Sequence, residues 1–161
     1  MINAVTLLEY SQELRHRYLA KLSELPWEEV IKDRGASFPS LRDIYLHCLV
    51  CVDGIVNNIL QGNSSFPRIN YDDYDSIEKI QEYVKQVESK ATENLKKITR
   101  EGLSRKIERK QRDGSTTIAT VEDYLIHLFQ EETHHRGELI ALLWQMDISP
   151  PHMGWNQYIN K

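Results

Sequence analysis

Between Leu41 and Leu60 the chain is apolar nearly all the way round a helical wheel, and this constrains the fold more than any other stretch. Leu41, Ile44, Cys48, Val52, Ile55 and Ile59 form one stripe at helical spacing, while Leu46, Leu49 and Val50 fall off it. A helix that is apolar on several sides has to be covered on several sides. Three other segments carry the same period on one face only. The first runs from about Ala4 to Ser23, with Leu7, Leu14, Tyr18 and Leu22 inward and Leu25-Pro26 closing it. The third covers Asp75 to about Thr99, with Ile77, Ile80, Val84, Val87, Ala91 and Leu95 inward. The fourth opens at Thr120-Val-Glu-Asp123 and reaches Met146, ahead of Pro150-Pro151. Ser40 with Asp43 is the capping pair expected to open the second helix, which stops before Gly62, and Asp75-Ser-Ile-Glu78 is expected to cap the third.

Four such helices predict one all-α bundle. Lys106 to Ile118 alternates around Asp113-Gly114, the strongest hairpin signal in the chain, so a small β-hairpin is expected between helices three and four. The loop from Gly62 to Asp75 has no periodicity of its own and is expected to cover one end of the bundle. With 161 residues and neither an internal repeat nor a break in composition, the expectation is a single domain over residues 1–161.

At 40% hydrophobic and 27% charged residues the chain is not collagen-like, disordered or a disulfide-stapled miniprotein. A formal charge of -4 argues against a nucleic-acid partner. The longest apolar run, Ile44 to Val52, is interrupted by His47 and falls well short of the ~20 residues of a membrane span. MINAVTLLEY has no basic start before an apolar core, so no secretory signal is visible, and the expected compartment is the cytoplasm. Asn63-Ser64-Ser65 then matches a glycosylation sequon by chance. Cys48 and Cys51 form a lone CxxC, with no second pair for a structural zinc and no preceding strand for a thioredoxin-like site. They read as two small buried apolar residues.

His47 is the one strongly polar side chain between Ile44 and Val52. A buried imidazole needs partners, because an unpaired buried polar group costs about 1–3 kcal/mol, and a bond to a neighbouring carbonyl is the usual answer. The fourth helix adds His127-Leu-Phe-Gln-Glu131-Glu132-Thr-His134-His135-Arg136-Gly137-Glu138. Glu131 and His135 project from adjacent turns of one face, beside the apolar stripe, and the pair has the spacing to grip one ion. His127 and Glu131 share that spacing, but His127 and His135 lie about 12 Å apart along the axis. His47, Glu131 and His135 together make two imidazoles and a carboxylate, a set suited to zinc, nickel, iron(II) or manganese with positions left open. The alternative is a buried hydrogen-bonded network or a solvated helix edge. Glu132 falls nearer the centre of the apolar stripe than Glu131, and Glu132-Thr-His-His135 has the Glu-x-x-His spacing of di-iron bundles, as does Glu13-Leu-Arg-His16. Glu13 and His16 lie on the polar side of helix one, and helix two supplies no inward glutamate, so the di-iron reading ranks third.

The order of these elements resembles the DinB/YfiT-like superfamily of metalloproteins. The likeness is carried by Leu41-Arg-Asp-Ile-Tyr-Leu before His47, the β-like interruption before the last helix, and His135-Arg136-Gly137-Glu138-Leu139, its most specific part. It covers nearly the whole chain and implies an up-down-down-up four-helix bundle. It also implies one metal ligand from helix two and two from the last helix, which fall on His47, Glu131 and His135. Family members commonly carry histidine where this chain has Glu131; His127 or Glu132 is the nearest substitute should Glu131 not serve. The resemblance further implies a metal-dependent enzyme of the thiol S-transferase type, with a low-molecular-weight thiol cosubstrate and a small-molecule substrate. His127, His134 or Tyr124 would move protons. A non-catalytic metal- or ligand-binding stress protein of the same fold is the alternative. A homodimer through bundle faces is expected in either case, with no nucleic-acid or membrane partner.

Overall fold

The structure, a computed structural model, describes residues 4–63, 65–110 and 113–160. Residue 64 of the sequon, residues 111–112 of the hairpin loop and the first three residues of the chain therefore lie outside it. The long helices are α1 (Ala4–Ser23), α3 (Leu41–Val52), α4 (Ile77–Lys96) and α5 (Val121–Gln145). Two five-residue helices that no periodicity announced, α2 (Trp27–Ile31) and α6 (Trp155–Ile159), lie between α1 and α3 and near the C-terminus. Helices α1 and α3 each pack against both α4 and α5, so α1 faces α3 across a four-helix bundle. The expected hairpin is present: β1 (Lys106–Lys110) pairs antiparallel with β2 (Thr116–Thr120), placing Glu108 opposite Ile118. Asp113 accepts from the Ser115 amide and hydroxyl, and Gly114 takes φ 85°, which suits the turn.

Helix α3 is the centre of the core. Leu41, Ile44, Leu46 and Leu49 are each fully buried, contributing about 1.5–3 kcal/mol apiece through lost apolar exposure. As a whole, Leu41–Gln61 is long and apolar enough to cross a membrane, yet 78% of its most apolar window is buried inside the protein. Its apolar surface is therefore spent on packing.

Four local expectations are corrected. The second helix does not hold α geometry to Leu60: it widens into a π-helical stretch, Asp53–Asn58, and closes with a 3-10 turn, Ile59–Gln61. Gly54 permits this region to pack, because a Cβ there would sit 2.3 Å from the Phe66 ring. The Asn57 and Asn58 amides donate to Val87 O and Asp53 O, and the second of these occupies a carbonyl of the widened turn. Ser40 does accept from the Asp43 amide, but the Asp43 carboxylate turns to Arg42 rather than back to the cap. In α4 the capping residue is Ser76, one later than expected. On α1 it is Leu8 that is deeply buried, together with Ser11 and Arg15, while Leu7 is only half-buried.

Candidate metal centre

His47 sits at the middle of α3, and Glu131 and His135 sit one turn apart on α5, the helix packed against it. The structure brings the three together: one donor atom from each lies within 4.8 Å of the other two. The Glu131 Oε2 atom is 3.8 Å from His47 Nε2 and 3.7 Å from His135 Nε2. Two donors held about 2.1 Å from one tetrahedral ion are about 3.4 Å apart, so each of these two pairs would need only a few tenths of an ångström of closure.

The hydrogen bonds around the cluster define its chemistry. His135 Nδ1 lies 2.6 Å from Glu138 Oε2. A carboxylate only accepts, so Nδ1 carries the proton and Nε2 presents its lone pair to the cluster. Glu138 is itself fixed by Ser37, whose hydroxyl donates at 2.7 Å and whose amide donates at 3.4 Å. Against its partial burial, these bonds from Ser37 and His135 hold the Glu138 carboxyl below the ordinary glutamate value. His47 is shifted the other way from a charged state: burial, then the neighbouring His135, lowers its pKa. The Cys51 Sγ is 3.5 Å from His47 Nε2, and burial followed by Glu131 and Glu132 pushes that thiol up to about 12. It therefore keeps its proton, and its contact with Nε2 fits either tautomer of His47. The His135 lone pair, the Glu131 carboxylate and His47 Nε2 thus face one another, a set of atoms that could hold a cation.

Phe38 covers the cluster. Its ring stacks on His47 at 4.2 Å and meets His135 edge-on at 5.5 Å; the two imidazoles are 4.5 Å apart. Beyond Phe38 lies Tyr71, at 6.3 Å. Tyr71 borders an open groove of about 670 Å³ with Arg42, Asp43 and Val50 of α3 and Arg68 of the following loop. Asp43 is one turn before His47, so the groove starts beside the site.

The remaining sequence candidates fall elsewhere. His127 is exposed, two turns from His135, and Tyr124 is a further turn away. His134 is exposed with its ring 4.9 Å from that of His135. It forms a second convergent set with His135 and Glu138, but there Glu138 and Nδ1 already satisfy each other. Glu132 is as buried as its position in the stripe predicts, and its partner is a protein cation. Arg15 Nη1 donates to both of its carboxylate oxygens at 2.6 Å, and Arg15 Nε donates to Glu88 at 3.0 Å. His16 and Gln12 close the far side of Glu88. So inward glutamates do come from α4 and α5, and Arg15 occupies the place between them that a di-iron pair would need.

The sequence reading gave Glu138, Ser37, Phe38 and Cys51 no part in the cluster. Glu138 lies in the most specific block of the resemblance, three residues after His135, and that spacing was its signal. Ser37 and Phe38 come from an aperiodic stretch before α3 and had none.

The bundle and its inward histidine–glutamate cluster define the class: a four-helix protein with a candidate metal centre between facing helices. More narrowly, the DinB family model matches residues 1–160, and the chain belongs to the DinB family. Among solved structures, a DinB-like protein from Bacillus cereus ATCC 10987 is similar with a TM-score of 0.64 and 16% identity. That match covers 92% of this chain and 95% of the other. At that identity the likeness is one of fold. No curated protein matches the sequence.

Proposed function

We propose that the protein binds one divalent transition metal through His47, Glu131 and His135 and uses it in S-transfer from a small thiol. The observation that carries this reading is the cluster itself: three convergent donors, with His135 oriented by Glu138 and Ser37 in the carboxylate–histidine manner of metal sites. Three protein donors leave coordination positions free, as catalytic sites do. A divalent ion there would lower the pKa of a coordinated thiol toward neutrality, supplying a nucleophile.

The chain's own groups do the rest. Glu138 holds the His135 tautomer, Phe38 shields the His47 face from water, and the groove beside Tyr71 receives the organic part of the substrate. In the reaction a thiol loses its proton to solvent, and its sulfur bonds to an electrophilic carbon. The leaving group departs with the bonding pair. Membership of the DinB family supports this reaction class by analogy of fold and site.

The test is metal analysis of chelator-stripped protein reloaded in turn with zinc, nickel, iron(II) and manganese, followed by a thiol-consumption assay with an aryl halide. The expected result is about one tightly held ion per chain, lost in His47→Ala and His135→Ala, and metal-dependent loss of thiol. An ordered protein that takes up no ion would overturn the whole reading. A stoichiometric ion without thiol turnover would leave the non-catalytic metal-binding alternative.

A further inference from the structure

Charge is not spread evenly along this chain. Eight of its 20 Lys and Arg residues fall between Lys96 and Arg112, against two of its 24 carboxylates, so that segment carries +6 in a chain of -4. Seven of the eight lie in the described residues, at the end of α4, around a 3-10 turn at Glu101–Ser104 and on β1. None of these seven forms an ion pair among the described residues, whereas Arg15, Arg34, Arg42 and Lys79 each hold a carboxylate. Like charges this dense repel one another, and the helix dipole accounts only for the two lysines that close α4.

Two of these cations line one pocket. A cavity of about 140 Å³ opens where the end of α4, the 3-10 turn and the start of α5 meet Leu60 and Gln61. Lys97, Thr99 and Arg105 line it, and no carboxylate does. Arg105 Nη2 donates to Leu60 O at 2.8 Å, which fixes the guanidinium and leaves its other N–H donors over. Lys97 Nζ donates to Asn94 Oδ1 at 3.3 Å and has two protons more. The Thr99 hydroxyl accepts from the Gly102 amide at 3.1 Å, so its own proton is left to donate. Two cations and a hydroxyl without an anion of their own match an oxyanion that accepts several hydrogen bonds. The volume is below the about 300 Å³ at which sites for whole ligands begin, so the pocket fits one such group. Arg100 and Lys106, next along the chain from Thr99 and Arg105, supply charge for a second. The rest of the chain carries -10, which repels an extended polyanion but not a ligand that touches this end alone. We propose that this basic end of the bundle binds a small molecule carrying two or more phosphate groups, one of them seated between Lys97, Thr99 and Arg105. Val121 borders the pocket and Glu131 lies about 15 Å further along α5, so the site is separate from the metal cluster and does not rest on the metal reading.

Titration calorimetry of pyrophosphate into the full chain, at about 0.15 M salt, should show one site per chain. Lys97→Glu and Arg105→Gln should each weaken it at least about tenfold, with an unchanged far-UV spectrum. Lys85→Glu makes the same charge change on the exposed face of α4, about 18 Å from Lys97 along the helix and beyond the Debye length of about 8 Å. It should weaken binding by less than about twofold. No heat with millimolar pyrophosphate, binding that Lys97→Glu leaves unchanged, or binding that Lys85→Glu weakens as much would each overturn the proposal. So would attachment to vesicles of equal parts phosphatidylcholine and phosphatidylserine, or to a DNA oligonucleotide, by a chain that ignores pyrophosphate. Should Arg105→Gln not fold, Lys97→Glu and Lys85→Glu decide it alone.

Discussion

Glu131 and Glu132 are neighbours on one helix and of one residue type, yet they end in opposite surroundings. Glu132 points into the core, where Arg15 grips both of its oxygens and also bonds Glu88. Glu131 points along the α3–α5 seam toward two imidazole nitrogens, with no protein cation within hydrogen-bonding distance among the described residues. Two carboxylate clusters thus stand side by side. One is bonded by a cation of the chain and ties α1, α4 and α5 together; the other faces no Lys or Arg side chain within bonding distance among the described residues. Burial costs both of them, and the difference lies in who supplies the positive charge.

The sharpest way to break this comparison is to remove the internal cation. Arg15→Met leaves Glu132 buried without a counter-charge and Glu88 with only the half-exposed His16, and is expected to cost about 3–5 kcal/mol of unfolding free energy in urea melts. Replacing Glu88 and Glu132 by leucine in the same chain should recover most of that loss, since an apolar cluster of similar volume packs there without desolvated charge. A single Arg15→Met change costing under about 1 kcal/mol would mean that the two carboxylates do not depend on it.

The other cluster should respond in the opposite pattern. Glu131→Gln keeps the shape and adds an amide donor facing the two imidazole nitrogens, so metal-free stability should change by less than about 1 kcal/mol. Its ion affinity should fall beyond the about 10–100-fold expected for loss of an outer partner. Titration calorimetry with zinc beside urea melts separates the two effects, and a large loss of metal-free stability would erase the distinction between the clusters. A smaller effect is expected at Glu138→Gln, where the first donors remain but the His135 tautomer is no longer enforced. Affinity should drop about 10–100-fold there, with stoichiometry unchanged.

The smallest effect is on the pH dependence of the internal cluster. The Glu88 hydrogen bond, against partial burial, raises His16, with Glu13 adding to the rise and Arg15 opposing it. A histidine raised in the fold contributes fully below its unfolded value of about 6.5, and the contribution is lost as pH rises through the folded value. Glu88 is buried, yet His16 and Arg15 hold it low. Its contribution is present above the unfolded value and is lost as pH falls through the folded one. The cluster therefore stabilises most between the two. His16→Asn should flatten the alkaline side of the stability profile, by about 0.5 kcal/mol or less because His16 is half exposed. Urea midpoints across that range measure it.

How far each cluster was legible follows from what periodicity encodes. His47, Glu131 and His135 stood out because polar groups beside apolar stripes at one-turn spacing are visible in one dimension. The burial of Glu132 was visible for the same reason. Arg15 was not: on α1 it reads as one charge among Glu13, His16 and Arg17, and only the approach of α4 and α5 makes its side the inner one. The π-helical turn at Asp53–Asn58 was equally silent, because it depends on Phe66 packing onto Gly54 from a loop without period.

The amino-acid sequence by itself determined four helices, a hairpin at Asp113-Gly114, the caps at Ser40 and Thr120, and three residues able to share an ion. Each of these depends on neighbours within a turn or two, where spacing dictates which side chains meet. The tertiary structure alone decided which carboxylate receives a cation from the chain and which does not. It also decided that Glu138 and Ser37 orient His135. Those outcomes depend on helices packing across the bundle, where the choice of partner is set by the shape of the whole core.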